Sequence, residues 1–258
     1  MKNGSDAMKT PGEVVAVFEG IPALVRAAAQ RFVQLAQAAV AQHGLFTVAL
    51  SGGSTPKPLY TLLADDPGFR EAIPWPKIHF FFGDERHVPP DHAESNFRMA
   101  SEALFQRLPG ESLHVHRIFA ECEIADEAAA RYDAVLRGFF RSHEIAANDL
   151  PRFDLILLGM GADGHTASLF PGTPALSETA HTVVATRVEK FNAHRITMTF
   201  PVLNNAAEII LLVAGADKSP VIAEVLGRTA DTPKYPVQMV RPVNGIKRWM
   251  IEKAAAPS

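Results

Sequence analysis

The chain has 258 residues, 47% of them hydrophobic, and carries a formal net charge of -3 at pH 7. This composition supplies the core of one large α/β domain or two small ones, and the balance of 25 basic and 28 acidic residues argues against a nucleic-acid or polybasic membrane partner. With no apolar run of membrane-spanning length and one cysteine, Cys122, that cannot pair internally, the sequence favours a cytoplasmic protein.

The beginning of the chain differs in composition from the rest. Residues 1–11 are small and polar and contain no hydrophobic segment of the kind that a secretory signal needs, so we expect a disordered leader there. Residues 12–258 contain no linker that would separate two domains. We therefore expect them to form a single domain.

Strand and helix alternate from the start of this predicted domain. Residues 14–18 are predicted to form a short strand. From Ile21 onward, apolar residues recur at three- and four-residue spacing, which indicates an amphipathic helix that ends near Gly44. The next predicted strand, Phe46–Leu50, is buried and runs directly into the turn Ser51-Gly52-Gly53-Ser54-Thr55-Pro56.

This turn has the features of an anion-binding site. Gly52 and Gly53 remove the side chains that would block a close approach, and the hydroxyls of Ser51, Ser54 and Thr55 can donate hydrogen bonds. A helix follows, and the free N–H groups and the dipole at its start favour a phosphate. The turn lacks the spacing and the Lys-Ser/Thr pair of a Walker loop, so we predict no nucleotide. A capped turn without any ligand remains an open alternative.

A second polar cluster follows the third predicted strand, Ile78–Phe82. The cluster reads Gly83-Asp84-Glu85-Arg86, and Ser95 further on is predicted to cap a helix. A charged run of this kind is usually a solvated edge held by ion pairs. If the strand belongs to a parallel sheet, however, Asp84 and Arg86 lie at the edge where ligands collect.

Two histidines lie on a short strand predicted near residue 114. His114 and His116 are separated by one residue and can in principle bind a metal, but Cys122 and the nearby acidic residues lack the spacing of a known zinc site. We therefore predict no metal site. Asp126 is then expected to cap a long helix whose apolar stripe belongs to the core.

The most informative turn follows the apolar run at residues 153–158. Glycines at 159, 161 and 164 allow a tight turn and a close approach to a small ligand. Asp163 and His165 lie inside this turn, beyond the carboxyl end of a buried strand, where ligands collect in open α/β sheets. An isolated Asp-Gly-His is also ordinary turn sequence, so these residues alone form a weak motif.

The pattern continues to the end of the chain. Residues 181–185 and 195–199 are predicted strands, Glu208–Val213 is a buried strand, and Lys218 precedes a helix at 221–226. Residues 236–240 and 248–252 are the last predicted extended segments. This alternation predicts a three-layer α/β/α domain with a mostly parallel, Rossmann-like sheet. The polar strand ends then meet at one edge, which Arg195 reaches from its own strand.

Several long strings are more specific than the single motifs. Residues 154–172 read DLILLGMGADGHTASLFPG, residues 83–86 read GDER with Val-Pro and Ser-Asn pairs behind them, and residues 194–197 read HRIT. Together with the small Ser219 after Lys218, they resemble the family of glucosamine-6-phosphate isomerases and 6-phosphogluconolactonases, and in particular its lactonases. His87 stands where that family usually has an aromatic residue, so the resemblance implies no role for it.

The resemblance implies the three-layer fold and the hydrolysis of 6-phospho-D-glucono-1,5-lactone in the oxidative pentose phosphate pathway, with no cofactor. Our hypothesis is that His165 is the general base and that Asp163 orients its ring or the substrate hydroxyls. A lactone is an activated ester that requires neither a metal nor a covalent nucleophile, and Ser168 lies outside any Gly-x-Ser-x-Gly elbow. The candidate substrate- and phosphate-binding residues are Ser51, Gly52, Gly53, Ser54, Thr55, Asp84, Arg86, Arg195 and Lys218.

Two other functions stay open from the sequence. Glucosamine-6-phosphate deaminase chemistry uses similar phosphate contacts and an Asp/His pair, although the long string through Pro171 and the GDER cluster fit a lactonase better. A non-catalytic sugar-phosphate sensor would keep the pocket without turnover. In each case the expected partner is a small sugar phosphate, and the sequence allows either a monomer or a homodimer.

Overall fold

The computed structural model of the protein describes residues 12–108, 110, 112–147, 150–227 and 234–257, so the leader expected at 1–11 lies outside the described residues. The strands are β1 (Glu13–Phe18), β2 (Phe46–Leu50), β3 (Ile78–Phe82), β4 (Asp84–Arg86), β5 (His114–Val115), β6 (Ala146–Ala147), β7 (Leu150–Pro151), β8 (Leu155–Leu158), β9 (Val183–Val188), β10 (Ala193–Met198), β11 (Glu208–Val213) and β12 (Ile246–Glu252). The helices are α1 (Ile21–His43), α2 (Lys57–Asp65), α3 (Pro67–Arg70), α4 (Asn96–Ala103), α5 (Ala125–Ser142), α6 (Phe200–Leu203) and α7 (Ser219–Gly227).

Seven of the described strands form one sheet in the order β1-β12-β11-β8-β2-β3-β5. Every neighbouring pair in this sheet is parallel. The central strands β2, β8 and β11 are buried along their whole length, which is why their sequences are apolar runs rather than alternating patterns. From β2 the chain builds outward through β3 and β5, then returns to β8 and builds the other way, so a topological switch point lies between β2 and β8.

Helices cover both faces of the sheet. Side chains alternate between the faces along a strand, and on β3 the ring of Phe81 packs on Phe139 of α5, whereas that of Phe82 packs on Phe97 of α4. Helix α2 contacts both α4 and α1, so these three helices share one layer. The predicted three-layer α/β/α fold is confirmed. No helix in the described part of the chain is long and apolar enough to cross a membrane.

A second, antiparallel sheet is the main departure from the predicted topology. Strands β4, β10 and β9 form it in that order, with Arg195 opposite Arg86 and Thr197 opposite Asp84. The predicted polar cluster after β3 is therefore itself a strand. At the junction, the N–H of Gly83 donates to the carbonyl oxygen of Leu50 at 2.9 Å, and its carbonyl oxygen accepts from the N–H of Met198 at 2.8 Å. The sequence placed Asp84 and Arg86 in the polar cluster that follows β3 and Arg195 on a strand of its own, and the structure adds that these two segments pair with each other in a separate sheet.

Two local predictions also need correction. Asp126 does not cap α5, since Ile124 is the N-cap residue and Asp126 lies in the first turn, where its charge still favours the helix dipole. Residues predicted as an extended segment near 236 form a 3-10 turn, Pro236–Met239. The Gln238 side chain stabilises this turn by accepting a hydrogen bond from the backbone N–H of Tyr235 at 2.9 Å.

Candidate active site

A cavity of about 300 Å³ opens at the carboxyl edge of the parallel sheet, above the switch point. The turns that follow β2, β8 and β11 form its walls, and these three strands are neighbours. All of the candidate residues except Asp163 and Arg195 line it. They are Ser51, Gly52, Gly53, Ser54, Thr55, Asp84, Arg86, His165 and Lys218.

The glycine turn is shaped by contacts that only glycine allows. Gly53 has φ of 108°, a left-handed conformation that L side chains rarely adopt. A Cβ on Gly52 would lie 1.7 Å from Oδ1 of Asn96, so the turn can pack against α4 only without a side chain. The buried hydroxyl of Ser51 has no hydrogen-bond partner among the described residues, which leaves it available to a ligand.

The Asp-Gly-His turn brings a carboxylate onto an imidazole. Nδ1 of His165 lies 2.5 Å from Oδ1 of Asp163, and the backbone N–H of Gly161 donates to the carbonyl oxygen of His165 at 2.9 Å. A Cβ on Gly161 would come within 2.1 Å of that same Nδ1. Gly164 has φ of 73° and packs on Tyr235. Gly161 is therefore required by its close contact with the histidine, and Gly164 by its positive φ and its contact with Tyr235.

The imidazole of His165 is held in a fixed orientation. Its ring stacks on Phe170 with centroids 4.0 Å apart and an interplanar angle of 24°. Burial alone would raise the pKa of Asp163, but its hydrogen bonds with His165 and the charge of that residue lower the pKa to about 2. Asp163 is thus ionised and contacts Nδ1. This leaves Nε2 as the ring nitrogen that can act in the cavity that His165 lines.

A buried polar network that the sequence did not reveal holds Asp84 in place. Oδ2 of Asp84 accepts a hydrogen bond from the hydroxyl of Ser168 at 2.6 Å, and Nδ2 of Asn96 donates to Oδ1 at 3.2 Å. Asn96 also lines the cavity. Both partners belong to strings that carry the family resemblance, Ser-Asn and the stretch after Asp-Gly-His. That membership was the available signal, because neither residue has a motif of its own.

Glu85 points away from the cavity and fixes the start of α4. Its carboxylate accepts hydrogen bonds from the backbone N–H groups of Asn96 at 2.7 Å and Phe97 at 2.8 Å, and from the hydroxyl of Ser95 at 3.1 Å. Burial raises the pKa of Glu85, and the hydrogen bonds from the backbone N–H groups of Asn96, Phe97 and Arg86 oppose that shift. Glu85 therefore orients Asn96 and the strand that carries Asp84. Glu85 itself does not line the cavity.

Three cationic side chains lie at or near the cavity. Arg86 lines it and donates to the carbonyl oxygen of Glu94, and Lys218 lines it beside Asp217. Arg195 is buried next to Arg86, outside the residues that line the cavity, and its guanidinium lies 5.4 Å from the Phe191 ring centroid. Burial and the charge of Arg86 lower the pKa of Arg195. An anion near these arginines would relieve their repulsion.

Four other histidines lie outside the lining of this cavity. The rings of His114 and His116 stack on His79 with centroid distances of 4.5 Å and 5.4 Å, and Nδ1 of His79 lies 3.2 Å from Nε2 of His116. Within the described residues, no group of three or more His, Cys, Asp or Glu side chains is arranged to hold a metal. Nε2 of His87 lies 2.7 Å from the carbonyl oxygen of Cys122, which makes His87 an anchor between two loops.

The fold and the cavity define a class of protein, an α/β domain that places a glycine-rich turn and a histidine with a carboxylate partner at one cleft above a switch point. A model of the family described as glucosamine-6-phosphate isomerases/6-phosphogluconolactonase matches residues 21–249. The chain belongs to this family.

Individual relatives agree with this assignment. The 6-phosphogluconolactonase of Synechocystis sp. is 42% identical over 217 residues, which cover 84% of this chain and 86% of that protein. The crystal structure of devB protein superposes with a TM-score of 0.85 at 34% identity and covers 94% of this chain and 98% of its own. The 6-phosphogluconolactonase from Trypanosoma cruzi has a TM-score of 0.80 at 29% identity over 94% and 95% of the two chains.

Proposed function

We propose that this protein hydrolyses 6-phospho-D-glucono-1,5-lactone to 6-phospho-D-gluconate, as a 6-phosphogluconolactonase of the pentose phosphate pathway. The observation that carries the proposal is the convergence of the glycine turn and His165, paired with Asp163, on one cavity. Two of the relatives described above are 6-phosphogluconolactonases, which favours the lactonase over the isomerase within the family.

The phosphate end of the substrate is bound at the glycine turn. Ser51, Gly52 and Gly53 line the cavity, and in this proposal their backbone N–H groups and the Ser51 hydroxyl donate to the phosphate while Lys218, which also lines it, supplies positive charge. Each charge-assisted hydrogen bond to phosphate contributes about 1.5 to 3 kcal/mol. Arg195, buried beside Arg86, adds to the positive field without lining the cavity.

The lactone end then reacts at His165. Nε2 takes a proton from a water molecule while the water oxygen attacks the lactone carbonyl carbon, and Asp163 stabilises the imidazolium that forms. Arg86 or an N–H group of the turn stabilises the oxyanion. The tetrahedral intermediate collapses with cleavage of the bond to the ring oxygen, which receives the proton from Nε2. The carboxylic acid product finally releases one proton to solution.

We propose that the enzyme acts in the cytoplasm on a free sugar phosphate, as a monomer or a homodimer. Residues 12–258 act as one domain in this proposal. The candidate base and the candidate phosphate ligands lie on the same chain, so a monomer has what the reaction requires.

Proton release after addition of freshly generated lactone tests the activity. We expect the wild type to accelerate release above the spontaneous rate and His165→Ala to lose about 10²- to 10⁴-fold in kcat, the usual contribution of a general base. The exposed His181 provides the matched control, and His181→Ala should retain wild-type rates. Wild-type release no faster than background would contradict the proposal. Ammonia production from glucosamine 6-phosphate would then indicate the deaminase, and binding without either reaction would indicate a sensor.

A further inference from the structure

The carboxylate of Asp163 has a second partner besides the imidazole. Its Oδ1 contacts Nδ1 of His165 at 2.5 Å, and its Oδ2 lies 3.2 Å from Nζ of Lys190. Lys190 belongs to the 3-10 turn Glu189–Phe191, which connects β9 and β10. The pair seen at the cavity is therefore part of a chain of three charged or titratable groups, Lys190–Asp163–His165.

The residue after Lys190 supports the same imidazole from another side. The ring of Phe191 packs edge-on against Phe170 with centroids 5.8 Å apart, and Phe170 in turn stacks on His165. Phe191 is 47% exposed, so burial in the core does not explain its position. Two consecutive residues of this turn thus contact the two groups that hold the histidine ring. Lys190 contacts the carboxylate of Asp163, and Phe191 packs on the ring of Phe170.

The turn itself is well anchored. Asn192, which ends the turn, has φ of 46° and donates its backbone N–H to the carbonyl oxygen of Glu189 at 3.0 Å. The flanking strands pair from Ala193 opposite Val188 onward. Because the turn closes a regular hairpin, the backbone of β9 and β10 fixes the point from which the Lys190 side chain reaches Asp163.

We propose that Lys190 is a positioning residue for the catalytic histidine; the inference rests on the proposed function of His165 as general base. The ammonium group holds Oδ2 of Asp163, so the carboxylate presents Oδ1 to the ring, and the ring carries its proton on Nδ1. Nε2 is then bare in the resting enzyme, as a general base requires. Lys190 touches neither the substrate nor the reacting atoms in this role.

The expected effect is modest because the Lys190 side chain is 62% exposed. The free energy of an exposed ion pair corresponds to a factor of about two to five in an equilibrium constant. Lys190→Met should therefore lower kcat by about two- to fivefold at low ionic strength, with KM and the unfolding midpoint unchanged, and Lys190→Arg should restore most of the loss. Since salt screens exposed charges, wild-type kcat should approach that of Lys190→Met at about 1 M salt.

Lys253→Met is the matched control, because Lys253 is 64% exposed and pairs with Glu19, outside the cavity lining. Its kcat should equal that of the wild type. An unchanged kcat in Lys190→Met, a rise in KM alone, or no recovery in Lys190→Arg would overturn the proposal.

A second readout does not depend on turnover. Nitrogen-15 NMR of the free protein reports which ring nitrogen carries the proton, and His165→Ala assigns the signal among the ten histidines. We expect the Nδ1–H tautomer for His165 in the wild type and a mixture of tautomers in Lys190→Met. Identical spectra would overturn the role of Lys190 even in an active enzyme. A wild type without lactonase activity, by contrast, would contradict the proposed function. The NMR comparison would then still test whether Lys190 controls the tautomer of His165.

Discussion

The hydroxyl of Tyr60 contacts both backbone polar groups of Ser51. It accepts a hydrogen bond from the N–H of Ser51 at 3.1 Å and donates one to the carbonyl oxygen of the same residue at 2.8 Å. Tyr60 belongs to α2, which follows the glycine turn, and is fully buried. The Tyr60 hydroxyl thus provides a hydrogen-bond partner for both backbone groups of Ser51. This residue follows the end of β2 and directly precedes the two glycines.

Tyr60→Phe should weaken substrate binding more than it slows the reaction. The substitution leaves the buried N–H and carbonyl groups of Ser51 without their partner, which costs about 1 to 3 kcal/mol of stability. The turn then loses its fixed geometry, so we expect KM to rise several-fold while kcat changes less. Steady-state kinetics and chemical denaturation check these values. A KM equal to that of the wild type in a destabilised protein would limit Tyr60 to a role in folding.

Gly161→Ala should have the opposite kinetic signature. A Cβ at this position would overlap the imidazole of His165, at 2.1 Å from Nδ1, and would also lie 2.7 Å from Oδ1 of Asp163. The ring must rotate away from its carboxylate, so we expect kcat to fall by about 10²-fold or more with a small change in KM.

Gly227→Ala is a suitable control for this substitution. A Cβ on Gly227, at the end of α7, meets no atom of the described residues within 4 Å. Its rates should match those of the wild type. Retention of wild-type kcat in Gly161→Ala would mean that the observed ring position is not needed for the reaction.

The sequence predicted the parallel sheet because its central strands are apolar runs that lead into polar turns. The turns after β2 and β8 could be placed together on that basis, since parallel strands end at one edge. The antiparallel sheet was missed for a physical reason. Asp84–Arg86 is short and charged, and its pairing with β10 joins residues more than a hundred positions apart, which no local pattern encodes.

Contacts within the Asp-Gly-His turn were equally hard to predict. Asp163 and His165 are two residues apart, and such neighbours meet only if the intervening backbone turns sharply, here with Gly164 at φ of 73°. The glycines were visible in the sequence, but the direction of each side chain was not. Tyr60 and Lys190 lacked any signal beyond their residue type, because their roles arise from tertiary contacts, and the only signal for Asn96 was its place in the Ser-Asn string.

Ser168→Ala separates two interpretations of the serine near His165. The Ser168 hydroxyl is buried and donates to Oδ2 of Asp84 at 2.6 Å, so it holds a carboxylate and does not contact the imidazole. Removing it leaves one oxygen of Asp84 without this donor, and we expect kcat/KM to fall by less than about 10-fold. A nucleophilic serine would instead cost about 10⁴-fold or more, and a covalent adduct would be seen by mass spectrometry.

The histidines at the β5 edge of the sheet should make stability depend on pH. Burial, together with the charges of His114, His116 and His143, lowers the pKa of His79 to about 4. The pKa of His116 is likewise lowered to about 4, first by burial and then by His114 and His143. The unfolded chain binds these protons near pH 6.5. The stabilisation is therefore complete above pH 6.5 and is lost as the pH falls toward 4.

We expect the thermal midpoint of the wild type to fall steadily between pH 6.5 and 4. His79→Gln removes one titrating group and should flatten this decline, whereas the exposed His181→Gln should leave its slope unchanged. Circular dichroism melts at half-unit pH intervals provide the measurement. The slope matters more than the absolute midpoint, because glutamine also alters the ring stack on His114 and His116 at every pH. Parallel curves for wild type and His79→Gln would show that His79 keeps its ordinary titration when folded.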